Sequence, residues 1–396
     1  MSRAVLYSSQ PNRCQTTQSD SDETDIRDVL VKGAVLFEDK ELKWAGYQAA
    51  DLHSSCMFGI RGIEAYTMIQ SREPTPKNRD FNHTGNIYMR SDWSKDAGFC
   101  FIHNGTLGSG HGHADLGHFS LSVYGVPFLV DPGRYTYKED DYFRIYLKSA
   151  PAHNTIVIDD EPFTAGLKSW EYSKAALPLH NYSIFKDGIS YVETAFMAKD
   201  SRNRPYTCIR KLVYIEPSIW VIADHLIMEG SHQMKKFFHY DEGVGLQLNG
   251  QWAAAQKKGV ELNMLHSPCC NLKIKSDYLS KKYNQLTNSM TVLSQHDFVD
   301  ESVTVTIAAG RKLGEQGIDA ERAEIYQIGQ EHPLDEQTVS IYQLTQDMTK
   351  WIVILFHNEN YKESYLFLVN KIIPVYGKAI VLKEIEGIWE TVRLKT

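Results

Sequence analysis

The sequence contains no long hydrophobic run. Its longest apolar candidates, Leu121–Val130 and Ile219–Ala223, are of strand length, far short of the ~18–20 residues that a membrane span requires. It also lacks an excess of positive charge. The 42 Lys+Arg stand against 49 Asp+Glu, a formal net charge of −7. That argues against a nucleic-acid binder, which would carry a basic stripe, but leaves room for a polyanion at a local cationic or metal-bearing cleft. Cysteine is scarce: Cys14, Cys56, Cys100, Cys208, Cys269 and Cys270 show neither CxxC spacing nor a dense framework and read as reduced thiols. The stretch Met1–Pro11 has no apolar core of the length a secretory signal needs, so a cytoplasmic location is expected. No internal repeat of fixed period is visible, which removes solenoids and propellers.

What is present has the make-up of a globular protein, with 42% apolar and 23% charged residues in 396. At ~150 residues per domain this allows two or three domains, or one large β domain with additions. Residues 1–22 are polar and irregular and read as a loose, disordered tail. A helical segment is expected over 23–80. Ile26, Val29, Leu30, Ala34 and Phe37 recur at helical spacing, with Asp22 or Thr24 as a cap. A second helical pattern over Trp44–Gln70 is interrupted by Gly59 and Gly62, and Glu73-Pro74-Thr75-Pro76 ends it. From about Gly85 the texture is that of strands: Phe119–Val123 and Val126–Val130 alternate, and Cys208–Ile215 turns through Glu216-Pro217-Ser218 into Ile219–Ile227 as a hairpin. Further strands are expected at Thr155–Ile158, Ser190–Phe196, Val303–Ala308, Trp351–His357, Ser364–Val369 and Ile380–Lys383. The fold class is therefore mainly β, with a large antiparallel sandwich over 81–396 preceded by a short α-helical segment. Two helices cannot build a core of their own, so they must pack on the sandwich or belong to something larger.

Histidine is unevenly spread. Five of 15, His103, His111, His113, His118 and His153, fall within residues 103–153. If His111-Gly112-His113-Ala114-Asp115 is extended, His111, His113 and Asp115 project from one face. Two imidazoles and a carboxylate from separate strands make a three-ligand zinc site with one open position. His113, Asp131 and His153 fit that description, and Gly112 and Gly133 allow tight turns or close approach beside them. The bland reading is that Asp131-Pro132-Gly133 only forms a turn and that the histidines have satisfied hydrogen bonds.

The string from His111-Gly112-His113-Ala114-Asp115 through Phe119–Tyr137, with Val130-Asp131-Pro132-Gly133-Arg134-Tyr135, and then Ala152-His153-Asn154-Thr155-Ile156-Val157-Ile158-Asp159 resembles the signature of the heparinase II/III-like polysaccharide lyases. Tyr88-Met89-Arg90-Ser91-Asp92-Trp93 is similar to the strand that opens the β domain of that family. Arg210–Tyr214 and Trp220–His225 resemble a later hairpin. The resemblance spans roughly residues 40–245 and is most specific over 111–158; beyond about 250 only strand pattern speaks.

The resemblance implies an N-terminal toroid of paired helices joined to an antiparallel β-sandwich, and cleavage of uronate-containing polysaccharide by β-elimination. It implies zinc on His113, Asp131 and His153, a base or charge-neutralising role for His111, and a place in the cleft for Tyr135. It also implies an acidic polysaccharide or oligosaccharide as partner, and family members are often periplasmic or secreted. Elimination needs a base, an acid for the leaving oxygen and a neutraliser for the uronate carboxylate. Residues 24–70 resemble only the last helices of the toroid, so the opposing catalytic wall is missing and impaired activity is expected. An exposed apolar face on Trp44–Gln70 would then promote self-association. Arg134 and Arg144 are further candidates for acidic sugar, Tyr137 and His118 read as core or part-buried residues, and Asn154 as a backbone-bonding residue. Two other classes compete: a non-catalytic, metal-stabilised carbohydrate-binding sandwich, and a cupin-like metal enzyme. The latter needs a glutamate shortly after the second histidine, and Ala114–Ser122 holds none.

Overall fold

A computed structural model describes residues 1–166, 168–357 and 366–396. The expected hairpin forms the spine of the molecule. Pro205–Ile215 pairs with Ile219–Tyr240 in the register Ile215↔Ile219 and Thr207↔Ile227. Ile219–Tyr240 then runs antiparallel to Gln285–Lys312, with a register shift between Ile227 and Ser231. Five strands, Arg79–Phe81, Asn86–Arg90, Phe99–His103, His118–Val123 and Val126–Leu129, follow one another antiparallel and join the spine where Leu129 meets Tyr240. Between these layers Ile87, Cys100, Phe119, Leu121 and Phe128 bury against Leu212, Trp220, Phe238, Leu262 and Val292. Each such aliphatic or aromatic side chain contributes ~1.5–3 kcal/mol when fully buried.

A second antiparallel sheet of five strands runs from Asp319–Arg322 to Ile388–Lys395. One of its faces, with Leu344, Val353, Leu355 and Val381, packs on Val213, Val221, Val305 and Ile307 of the main sheet. The strands expected at 190–196, 303–308 and 380–383 lie within the longer strands Ile189–Lys199, Gln285–Lys312 and Ala379–Ile385. Those expected at 155–158 and 351–357 match Ile156–Ile158 and Thr349–Phe356. Of the one expected at 364–369, Phe367–Val369 is a strand, and Ser364 and Tyr365 lie outside the described residues.

The N-terminal region differs from expectation. Residues 1–22 are not a loose tail. Ser2–Ser8 is a helix (α1) whose Leu6 and Tyr7 are buried against Leu30, Val31, Ala34 and Tyr88. Polar composition misled here, because a single Val5-Leu6-Tyr7 step suffices to dock one turn on a neighbouring apolar stripe. The expected pair of helices is three: Arg27–Phe37 (α2), Lys40–Ala45 (α3) and Leu52–Met68 (α4). The expected caps at Asp22 or Thr24 are not used, since α2 begins after Ile26. Asp39 and Asp51 cap α3 and α4 by accepting backbone N–H bonds. Gly59 breaks α4 with φ +65°. Together α1–α4 cover one side of the first strands through Tyr88, Trp93, Phe99 and Phe101. Among the described residues no helix is long and apolar enough to cross a membrane.

Candidate metal centre and the adjoining cleft

Three breaks in regular structure place the site. The segment 104–117 between Phe99–His103 and His118–Val123 is irregular, not extended, and carries His111, His113 and Asp115. Asp131 follows the strand Val126–Leu129, and His153 follows the short helical turn Ala150–Ala152. Close backbone approach is built in at both glycines. A Cβ on Gly112 would lie 1.8 Å from the Leu107 carbonyl oxygen, and one on Gly133 (φ +75°) would lie 2.0 Å from that of Ser280.

The structure groups Asp131 and His153 with Asp115, and sets the third expected residue, His113, beside His153 rather than within that group. Ligand atoms of Asp115, Asp131 and His153 all lie within 4.8 Å of one another, and the three residues are buried. His113 Nδ1 is 3.3 Å from His153 Nε2, and Asp131 Oδ2 is 3.6 Å from the same nitrogen. A tetrahedral zinc with ~2.0–2.1 Å bonds has ligand–ligand edges of about 3.3–3.4 Å. Two carboxylate oxygens in the group, Asp115 Oδ2 and Asp131 Oδ2, are buried without a hydrogen-bond partner, which is costly unless a cation or another donor meets them. Asp131 does form the turn that the bland reading foresaw, but with its other oxygen: Oδ1 accepts from the Gly133 N–H at 2.9 Å.

The electrostatics agree with a cation-shaped deficit. Burial pushes the Asp131 carboxyl up to about 8. Burial pushes the His153 imidazole down to about 3 and that of His113 down to about 4, so both stay neutral. Neutral imidazoles are ready to ligate, and a carboxyl raised in this way lacks the compensating positive charge that would keep it ionised, which a bound divalent metal would supply. Asp115, Asp131 and His153 are thus buried donors of the types that zinc takes, with His113 beside His153 at the edge of the group. The sequence reading left Asp115 out of its candidate ligand set because it counted one residue per strand, and the structure puts Asp115 in the donor group.

His111 is placed differently. Its side chain is 61% exposed, its Nδ1 lies 2.9 Å from Asp20 Oδ2, and its ring stands edge-on to Trp170 and Tyr137 at 5.1 and 5.8 Å between centroids. Tyr137, read as core, is part of this half-buried aromatic row, which continues to the exposed ring of Tyr283 at 5.6 Å. Tyr135 is half-buried with φ +57° and turns its ring toward Phe143; the tyrosine brought to His111 is Tyr137. His118 is fully buried, with Nδ1 accepting from the Asn154 N–H at 3.2 Å and Nε2 2.9 Å from Ser120 Oγ. Asn154 bonds backbone, donating to the Phe119 and Val130 carbonyls and accepting from the His239 N–H.

Both candidate arginines are occupied by the N-terminal segment. Arg144 is fully buried and forms a two-point pair with Asp20. Arg134 pairs with Asp22 at 2.8–2.9 Å and donates to the Tyr137 hydroxyl. Asp20 and Asp22 were invisible to sequence reasoning as site residues.

Comparison with known proteins follows this geometry. A search among curated proteins returns no match. Among solved structures, a heparinase III gene product superposes with a TM-score of 0.67 at 15% identity, covering 89% of this chain and 51% of its own. The heparan sulfate lyase HepC from Pedobacter heparinus gives 0.67 at 16%, covering 90% and 53%. A crystal structure of heparinase III gives 0.69 at 14%, covering 90% and 54%. At such identities the likeness is one of fold, and the chain spans about half the length of these structures. The sequence of residues 73–325 matches the family described as Heparinase II/III-like, C-terminal, and a match over that share of the chain means that this protein belongs to the heparinase II/III-like family.

Proposed function

We propose that this chain is the sandwich portion of a polysaccharide lyase that acts on uronate-containing polysaccharide by β-elimination, with His111 as the base facing the sugar. One observation carries the reading. His111 is exposed beside a row of aromatic rings, yet its Nδ1 is held by a buried carboxylate. An imidazole that donates Nδ1–H to a carboxylate presents its Nε2 lone pair outward, the arrangement of an oriented general base. Among the described residues, Nε2 of His111 has no hydrogen-bond partner. The rings of Tyr137 and Trp170 offer flat apolar surface for a pyranose face, with Arg134 and Arg144 behind them at 4.7–5.2 Å. Tyr137 is better placed than Tyr135 to line the cleft. Zinc held by Asp115, Asp131 and His153, with His113 closing in beside His153, would supply the positive charge that fixes the three irregular segments. That keeps the loop carrying His111 in place without requiring the metal to touch sugar.

The solved relatives are heparinase III and heparan sulfate lyase, and a heparan-type chain is the substrate class that this kinship favours. The test is binding of a uronate polysaccharide against its carboxyl-reduced form. Binding that needs the carboxylate and falls at least tenfold in His111→Ala is expected. Equal affinity for the carboxyl-reduced chain would sink the reading. The second reading, a binding sandwich without chemistry, is favoured by the occupation of both arginines, and it is separated from the first by product absorbance, as argued below.

A further inference from the structure

Asp20 makes four contacts that no other carboxylate near the site makes. Its Oδ1 lies 3.0 Å from His113 Nε2 and accepts from Arg144, while its Oδ2 lies 2.9 Å from His111 Nδ1 and accepts from Arg144 at 2.8 Å. Its side chain is 3% exposed, and those of Arg144 and His113 are fully buried. The Asp20 carboxylate is paired at two points with the Arg144 guanidinium and faces two imidazoles.

For His113 this has a specific consequence. A neutral imidazole carries one N–H, and a neighbouring carboxylate decides which nitrogen carries it. With Asp20 on Nε2, the proton stays there and the lone pair of Nδ1 is directed toward His153 Nε2, 3.3 Å away, in the donor group. Metal-ligating histidines are oriented in this way by an outer carboxylate, whose loss weakens metal affinity. We infer that Asp20, reaching in from the N-terminal segment, is the positioning residue of the metal centre: it fixes the tautomer and ring plane of His113. The inference rests on the reading of the site as a metal centre. It makes the segment before α2 part of that centre, although the segment lies outside the matched residues 73–325.

The test compares zinc affinity, by chelator competition, in the wild-type chain, Asp20→Asn and Asp20→Glu, with melting followed in parallel with and without zinc. Asp20→Asn removes the charge that fixes the proton. Asp20→Glu keeps the charge for Arg144 but displaces the oxygens, so it preserves folding if the Asn variant does not. The expected result is on the order of ten- to hundredfold weaker zinc binding in each folded variant, and a smaller zinc-induced rise in melting temperature. A purely structural role would lower the melting temperature with and without zinc alike and leave the affinity unchanged, which would overturn the inference. Unchanged zinc affinity with tighter binding of an acidic oligosaccharide would also overturn it, marking Asp20 as a stand-in for the substrate carboxylate. Absence of zinc binding by the wild-type chain would remove the metal reading itself, whereas normal wild-type binding with unaltered variants removes only the role of Asp20.

Discussion

His111 and His113 stand two residues apart and share one carboxylate, yet one is exposed and the other fully buried. Burial divides their work. A buried neutral imidazole at the edge of a group of buried donors suits a cation, and an exposed one beside aromatic rings suits a sugar. His111→Ala should therefore leave zinc content and melting unchanged while weakening oligosaccharide binding. The double variant His113→Ala, His153→Ala should retain no zinc in metal analysis of chelator-free protein; a full equivalent retained would refute the assignment. Arg144→Met should be far more damaging to stability than to chemistry. It leaves the Asp20 carboxylate buried without its cation, held among the described residues only by His111 and His113, which costs on the order of 3–5 kcal/mol, measurable by denaturant unfolding. That His113, Asp131 and His153 come near one another around His153 was legible, because residue types able to ligate a metal are few and two of these sit by glycines that permit close approach. Asp20 was not legible, since nothing in a polar stretch signals that it folds back onto residues 91, 93 and 124 positions away.

At the scale of elements, the hairpin expected at 208–227 was readable at its turn, because β-branched and aromatic residues flank Glu216-Pro217-Ser218 on both sides, while its strands extend further, from Pro205 and on to Tyr240. The N-terminal elements were not. Periodicity reports which residues form a stripe but not where it docks, and α1 is too short to show a period at all. Leu6 is fully buried, so Leu6→Ala should destabilise the protein by about 2–5 kcal/mol and loosen the segment that delivers Asp20. The expected exposed face of the second helical pattern is present. Leu52, Met57, Ile60 and Met68 are 61–81% exposed, and only Ser54 and Tyr66 of α4 are buried. Exposed apolar side chains in this number on one element promote association. Sedimentation should show mass rising with concentration, and Leu52→Lys with Ile60→Lys should restore a monomer; an unaltered monomer at every concentration would count against the association proposed here.

At the scale of the molecule, the question is whether the sandwich carries enough groups for elimination. His111 is the proposed base, and a carboxylate neutraliser and a leaving-group acid are harder to find around it. Arg144 is committed to Asp20, and Arg134 to Asp22 and the Tyr137 hydroxyl. The Tyr172 hydroxyl donates to the Gly112 carbonyl, and that of Tyr146 to Asp277. Groups of a catalytic set act as a unit, and losing several removes most of the rate. The chain spans about half the length of the heparinase structures it matches. The expected outcome is therefore binding of uronate oligosaccharide with very weak turnover or none, followed by ultraviolet absorbance of the unsaturated product. Vigorous turnover by the purified chain would refute this, and its concentration dependence would locate the acid. A rate per protein that rises with concentration puts the acid on a second copy seated against the cleft, whereas a constant rate puts it on this chain, with Tyr137 beside His111 the first residue to replace by Phe.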